Sequence, residues 1–336
     1  MQAQEKIRRA NVLLVTLRAL GSEIAKNLVL AGISSLTVLD ANPVSQADLG
    51  AGFFLSQATA ANGEAIEGAS RAALACPIIQ KLNPRVQVRA DEGALDGKDA
   101  EYFGGFDVVI ATDLSAGEMT RINDATRKAG KKFYAAGCHG MNGFIFADLV
   151  SHSYVIQRDS ANVATKVGPE TATRAVVDVR TKKEGPRVVE TVTKRETYTP
   201  FDKACLSAPL PADYAKSKRR LRAVSPILSC LRAVWSLGHL PSPSSRADQE
   251  AFTRSVMAKH AELGLPPETL TPEVIRSFLQ GVGAEIAPVA AILGGQLAQD
   301  VINVLGQTQQ PIQNTVVFDG GSMEAGVYAL HSGLGE

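Results

Sequence analysis

The stretch Thr16-Leu17-Arg18-Ala19-Leu20-Gly21 lies between an apolar run and a helical pattern, where a nucleotide-binding α/β protein carries G-x-G-x-x-G. Those glycines let backbone N–H groups approach a pyrophosphate at a helix N-terminus. Here the first two glycine positions hold Thr16 and Arg18, and only Gly21, which serves helix packing, is kept. Side chains at 16 and 18 would fill the space of a pyrophosphate, although Arg18 could pair with a phosphate. The segment therefore reads as a structural turn in preference to a phosphate-binding loop. Asp40 follows Gly21 by 19 residues, where a carboxylate would hold a ribose hydroxyl. It reads first as a turn-initiating residue in Leu39-Asp40-Ala41-Asn42-Pro43. Asp113, just past Val108 to Ala111, could hold Mg²⁺ or cap the next helix. Thr16, Arg18, Gly21, Asp40 and Asp113 outline a degenerate nucleotide pocket to which no cofactor is assigned.

Cys138-His139 would suit a thiolate and its base, but neighbours on an extended chain point to opposite faces, so a packed thiol in a Gly-rich turn is the better reading. Cys205 and Cys230 have no local base, and the four cysteines, Cys76 included, form no C-x-x-C pair and have no His at metal-ligand spacing. No catalytic residue and no metal ligand is assigned. The basic run Lys216 to Arg222 admits a nuclear-import signal or a solvated helix face.

The elements that must carry these residues alternate. Asn11 to Val15 is a strand-type run, Ser22 opens a helix through Ile24, Leu28 and Ala31 that Gly32 stops, and Leu36 to Asp40 is the next strand. That is a right-handed βαβ unit. Val86 to Val88, Phe106 to Ala111 and Lys132 to Ala136 add strands, with a crossover helix over 116–130. Five such strands predict a doubly wound, mostly parallel α/β sheet covered on both faces. Residues 170 to 200 read as extended or antiparallel, and 151–275 as an inserted, largely helical subdomain with a loose linker at Pro241 to Ser245. Pro288 to Leu305 is a small-residue helix with Gly294 and Gly295 where another backbone approaches, and Thr315 to Asp319 and Val327 to Leu330 are strands. Residues 1–150 and 276–336 should together form one domain.

With 35 basic and 34 acidic side chains in 336 residues, the chain lacks the positive excess of a dedicated nucleic-acid binder. No 18-residue apolar run is evident, so no membrane partner is expected. The first ten residues have no apolar core of a secretory signal, and the scattered cysteines suit a reducing compartment.

Gln2 to Arg8, Ser22 to Ile33, Lys81-Leu82-Asn83-Pro84-Arg85-Val86, Gly140-Met141-Asn142-Gly143-Phe144, Pro288 to Gly295 and Phe318-Asp319-Gly320 resemble the smaller, non-catalytic subunits of SUMO-activating enzymes. These belong to the ubiquitin-activating, MoeB and ThiF adenylating family, so the resemblance implies a Rossmann-like fold of that type. It covers roughly residues 2–150 and 265–330. Active members carry a glycine-rich loop and an Asn-Leu-x-Arg-Gln stretch; the matching region here is Asp48-Leu49-Gly50-Ala51-Gly52-Phe53-Phe54, without the Asn, Arg or Gln.

The resemblance implies a heterodimer whose partner, the catalytic subunit, binds ATP and Mg²⁺, adenylates SUMO and captures it as a thioester. It also implies residence in the nucleus, alongside the cytoplasm. A regulatory subunit of the neddylation-activating enzyme and an autonomous MoeB-type adenylating enzyme are the alternatives. A nucleotide-dependent oxidoreductase is opposed by the Thr16 to Gly21 loop. The resemblance implies an N-terminal arm upstream of Gln2, with an Arg that reaches the partner's ATP; the sequence here starts at Met1, so that Arg is expected to be absent. Ser70 to Pro77 looks longer than the family's helix there and is expected to disturb local packing.

Overall fold

The computed structural model describes residues 2–62, 66–160, 165–185 and 187–332. Twelve strands among them form two sheets: β1 (Asn11–Val15), β2 (Ser35–Leu39), β3 (Gln87–Asp91), β4 (Val108–Thr112), β5 (Lys132–His139), β6 (Asn142–Asp148), β7 (Ser151–Asp159), β8 (Gly168–Pro169), β9 (Arg174–Glu184), β10 (Arg187–Thr197), β11 (Thr315–Asp319) and β12 (Glu324–Tyr328). The larger sheet runs β12-β11-β6-β5-β4-β1-β2-β3. Strands β3, β2, β1, β4 and β5 pair in parallel, and β6, β11 and β12 are antiparallel additions. Residues from both ends of the chain therefore build one mostly parallel sheet.

Strand β1 is central, with Val12, Leu13 and Leu14 fully buried, as expected of a strand covered on both faces. Val12 and Leu14 face one layer, which holds helices α1 (Ala19–Ala31), α2 (Arg71–Leu82) and α7 (Ala287–Gly306). Leu13 and Val15 face the other, made by α3 (Ala116–Lys128) and by α4 (Ile227–Leu237), α5 (Arg246–Glu262) and α6 (Pro272–Gly281). The inserted helices thus cover a face of the sheet, and their aromatic side chains meet it directly. Trp235 packs edge-on to Phe144 with ring centroids 5.0 Å apart.

The region 151–275, expected to be largely helical, is only half so. Its first part is a four-stranded antiparallel sheet in the order β7-β10-β9-β8. Alternation drives it: Val176 is buried and its neighbour Val177 exposed, and Val192 is buried between the less buried Thr191 and Thr193, which suits strands with one covered face. The Pro241 to Ser245 cluster, expected as a loose linker, is a capping turn. Ser245 accepts from Asp248 N at the start of α5, and Ser242 N donates to Asp248 Oδ2 at 2.9 Å. The Ser70 to Pro77 segment does not disturb packing: Ser70 caps α2, and Ala72, Ala75 and Ile79 are fully buried on it.

Helix α1 begins at Ala19, three residues before Ser22, because a distant side chain caps it, as described below. Its end is as expected, with Gly32 in the left-handed region (φ 79°) and its N–H on Val29 O. Helix α7, 20 residues long, does have the length and apolar composition of a membrane span, yet most of it packs inside the domain. It crosses α1 closely at Gly294, where a Cβ would stand 2.6 Å from Glu23 Cβ. Gly295, expected to share that role, faces open space.

The two glycines should therefore separate in chemical denaturation. Gly294→Val should lose about 1–3 kcal/mol through overpacking, whereas Gly295→Ala should be neutral or gain up to about 1 kcal/mol from helix propensity. Equal losses at both positions would contradict this packing.

Candidate functional site

The residues singled out at the carboxyl edge of the parallel strands do come together. Thr16 follows β1 in the left-handed region (φ 72°), and Asp113 follows β4 likewise (φ 54°). The Thr112 hydroxyl ties the Thr16 turn down, donating to Thr16 O at 2.9 Å and Val15 O at 3.1 Å. Gly21 keeps the packing role expected of it, since a Cβ there would lie 2.5 Å from Thr16 O.

Around this turn the site is filled by the chain's own charges. Asp40 accepts from Leu17 N at 2.8 Å and Asn42 N at 3.0 Å. It also accepts from Arg71 Nη2 at 3.1 Å, while Arg71 Nε lies 3.0 Å from its Oδ2, an ion pair off line for a hydrogen bond. Arg71 Nη1 reaches Asp48 Oδ1 at 3.0 Å. Burial opposes ionisation of Asp48, but hydrogen bonds from Ser45 and the charge and hydrogen bond of Arg71 hold its carboxyl below the usual carboxylate range. Arg18 Nε sits 3.5 Å from Asp48 and 3.4 Å from Glu285. Burial pulls the Arg18 guanidinium down, yet Glu285, Asp113 and Asp48 together hold it above its ordinary value.

Glu285 and Arg71 are the residues that the sequence reading missed. The Glu285 carboxylate accepts from Ala19 N at 3.0 Å and Leu20 N at 2.8 Å, the first free N–H groups of α1. These are the groups that receive a phosphate in nucleotide-binding folds of this kind. No local motif marks Glu285, which reaches α1 from the segment ahead of α7. Asp113 Oδ1 accepts from Cys138 N at 3.1 Å, and its Oδ2 is enclosed with no donor partner. Burial first, then the Glu285 carboxylate, pushes Asp113 up to about 8, so near neutrality it holds a proton towards Glu285.

Four carboxyl groups and two guanidiniums thus occupy the place of a nucleotide. The cleft left beside them, lined by Val15, Thr16, Asp40, Asn42 and Glu118, measures about 230 Å³, below the ~300–1,000 Å³ usual for ligand pockets. The residues present do not fit a nucleoside triphosphate. Its phosphates would meet Glu285, Asp48 and Asp113 in place of free N–H groups and cations. Among the described residues no group of three His, Cys, Asp or Glu side chains has metal-binding geometry.

Cys138 packs into the layer of Val12 and Leu14, whereas His139 packs against Phe144 and Phe278 of the opposite layer, as the strand geometry demands. Burial drives the Cys138 thiol far up and His139 down to about 4, and His139 Nδ1 is taken by Gly283 N at 3.1 Å. The other thiols, Cys76, Cys205 and Cys230, are buried and raised by burial as well.

Fold and site together define a doubly wound α/β protein with a nucleotide position closed by internal ion pairs. Residues 1–331 match the ThiF family. DNA damage tolerance protein RHC31 of Saccharomyces cerevisiae is 34% identical over 323 residues, 95% of this chain and 90% of that protein. SUMO-activating enzyme subunit 1 of Homo sapiens is 31% identical over 330 residues, 95% and 88%, and that of Xenopus laevis is 31% identical over 95% and 89%. Among solved structures, E. coli MccB with succinimide superposes with a TM-score of 0.52 at 12% identity, over 98% of this chain and 67% of that one. The chain belongs to the ThiF family, and its fold is that family's.

The proton on Asp113 gives a pH signature. A carboxyl whose folded value lies above the ~3.9 of free aspartate takes up a proton on folding. Its contribution to stability is complete below ~3.9 and is lost as pH rises through about 8. Asp113→Asn keeps a donor towards Glu285 without titrating. It should gain stability relative to the parent chain between pH ~5 and ~9 in urea denaturation; an unchanged difference across that range would contradict the assignment.

Proposed function

We propose that this chain is the non-catalytic subunit of a heterodimeric SUMO-activating enzyme. The carrying observation is the closed site: Arg71 bridging Asp40 and Asp48, and Glu285 seated on the α1 N-terminus where phosphates would bind. A subunit that leaves adenylation to its partner can dispense with the phosphate loop, and relatives named SUMO-activating enzyme subunit 1 over 95% of the chain support this assignment.

In this reading the catalytic subunit holds ATP and Mg²⁺ and adenylates the C-terminal Gly of SUMO. The acyl adenylate then gives a good leaving group for attack by that subunit's cysteine thiolate. The chain described here contributes packing and positioning, keeping the partner's site in shape. The complex would act in the nucleus, alongside the cytoplasm. The basic helix Lys218–Arg222, with Arg219, Arg220 and Arg222 in its last turn and no buried residue, is a surface that an import factor could read.

Co-expression with the catalytic subunit of a SUMO-activating enzyme tests the proposal. A stable one-to-one complex that charges SUMO onto the partner as an ATP-dependent thioester is expected. Failure to form a complex would contradict it, and ATP-pyrophosphate exchange by this chain alone would point to an autonomous adenylating enzyme instead.

A further inference from the structure

Beside the closed nucleotide position lies a second cavity, of about 250 Å³, between the sheet edge and the inserted helices. Its walls are apolar and aromatic: Phe144, Val234 and Trp235 are buried, and Leu240, largely exposed, stands at the mouth. For scale, an apolar cavity of ~150 Å³ takes up benzene.

Two hydrogen-bond donors line this cavity with N–H groups left over. The first is the partly exposed Arg18 guanidinium. Its Nε stands against Asp48 and Glu285, but Nη1 meets only Gly283 O, at a long 3.4 Å, and Nη2 has no partner among the described residues. The second is His139. Its Nδ1 accepts from Gly283 N at 3.1 Å, so the buried, neutral ring carries its proton on Nε2, which also meets no acceptor among the described residues. The neighbouring carboxylates are turned to other groups. Glu285 serves Ala19 N and Leu20 N, Asp48 serves Ser45 and Arg71, and Asp113 Oδ1 takes Cys138 N while its Oδ2 is enclosed. What the cavity asks for is therefore an acceptor attached to an apolar ring.

The same carboxylates decide the charge of that acceptor. Arg18 already stands between Asp48 and Glu285, so a further anion placed on it would be repelled by both. A cation would meet the guanidinium. A neutral oxygen can use the free N–H groups without either cost, and a hydrogen bond from a charged donor is among the stronger ones.

We propose that this cavity binds a small neutral aromatic carbonyl compound, of the aryl amide type, its ring against Trp235 and Phe144 and its carbonyl oxygen accepting from Arg18, with His139 as the second donor. The inference stands apart from the assignment to SUMO activation, because it uses only this cavity.

Trp235 is the single tryptophan of the chain, so fluorescence excited beyond the tyrosine absorption reports on the cavity wall. Titration of the purified chain with benzamide should give a saturable change in the millimolar range or below. Benzamidine and benzoate have the same shape but carry a positive and a negative charge, and each should bind about tenfold more weakly. Arg18→Met should weaken benzamide by a similar factor. No saturable change with benzamide, or binding of either charged probe to the unaltered chain as tight as that of benzamide, would overturn the proposal, as would unchanged benzamide affinity in a folded Arg18→Met chain. The comparison of the three probes needs no variant and does not depend on how Arg18→Met folds.

Discussion

The ion pairs that Arg71 and Arg18 make with Asp40, Asp48 and Glu285 are the constraint on which the rest of the site depends. A doubly wound fold creates free N–H groups at the first crossover helix and gathers strand ends beside them. Something must satisfy those groups, and in a working nucleotide site the ligand does so. In this chain Glu285 supplies the anion and two guanidiniums balance the carboxylates, so the architecture is complete without a ligand. Removing either arginine would leave buried carboxylates unpaired, the costly case for an internal ion pair.

Glu285 also fastens the inserted region to the sheet. The segment between α6 and α7 is where the chain returns from the insert to the main domain. It is tied at several points: Glu285 to α1, Gly283 N to His139, and Ala284 O to Gly140 N at 2.8 Å. Gly140 and Gly281 meet so closely that a Cβ on either would stand 3.0 Å from the other's Cα. One carboxylate thus caps a helix, excludes phosphate and anchors the covering helices on the sheet. This multiplicity of roles keeps the fold intact around a helix N-terminus whose first N–H groups are already met by a side chain.

The parallel half of the sheet was legible in the sequence because Asn11 to Val15 and Val108 to Ala111 are continuous apolar runs separated by helical periodicity. Gly32 and Gly21 could be read for the same reason, since each serves a purely local requirement of backbone geometry. Thr16, Arg18, Asp40 and Asp113 were found as a group because a fold with this strand order brings its carboxyl ends together. What they do there could not be read, because the answer lies in Arg71 and Glu285. Each looks like any charged residue in its own window and acquires its role only through contacts 23 to 266 residues away. The antiparallel strands of the insert were visible only in part. The short β-branched runs of 170 to 200 marked β9 and β10, whereas β7 is polar and charge-rich and shows itself only through its pairing with β10.

The chain's own side chains occupy the nucleotide position. Calorimetric titration of Mg·ATP into the purified chain tests it most directly. The closed site predicts no saturable heat at millimolar nucleotide, whereas stoichiometric binding at micromolar affinity would contradict it.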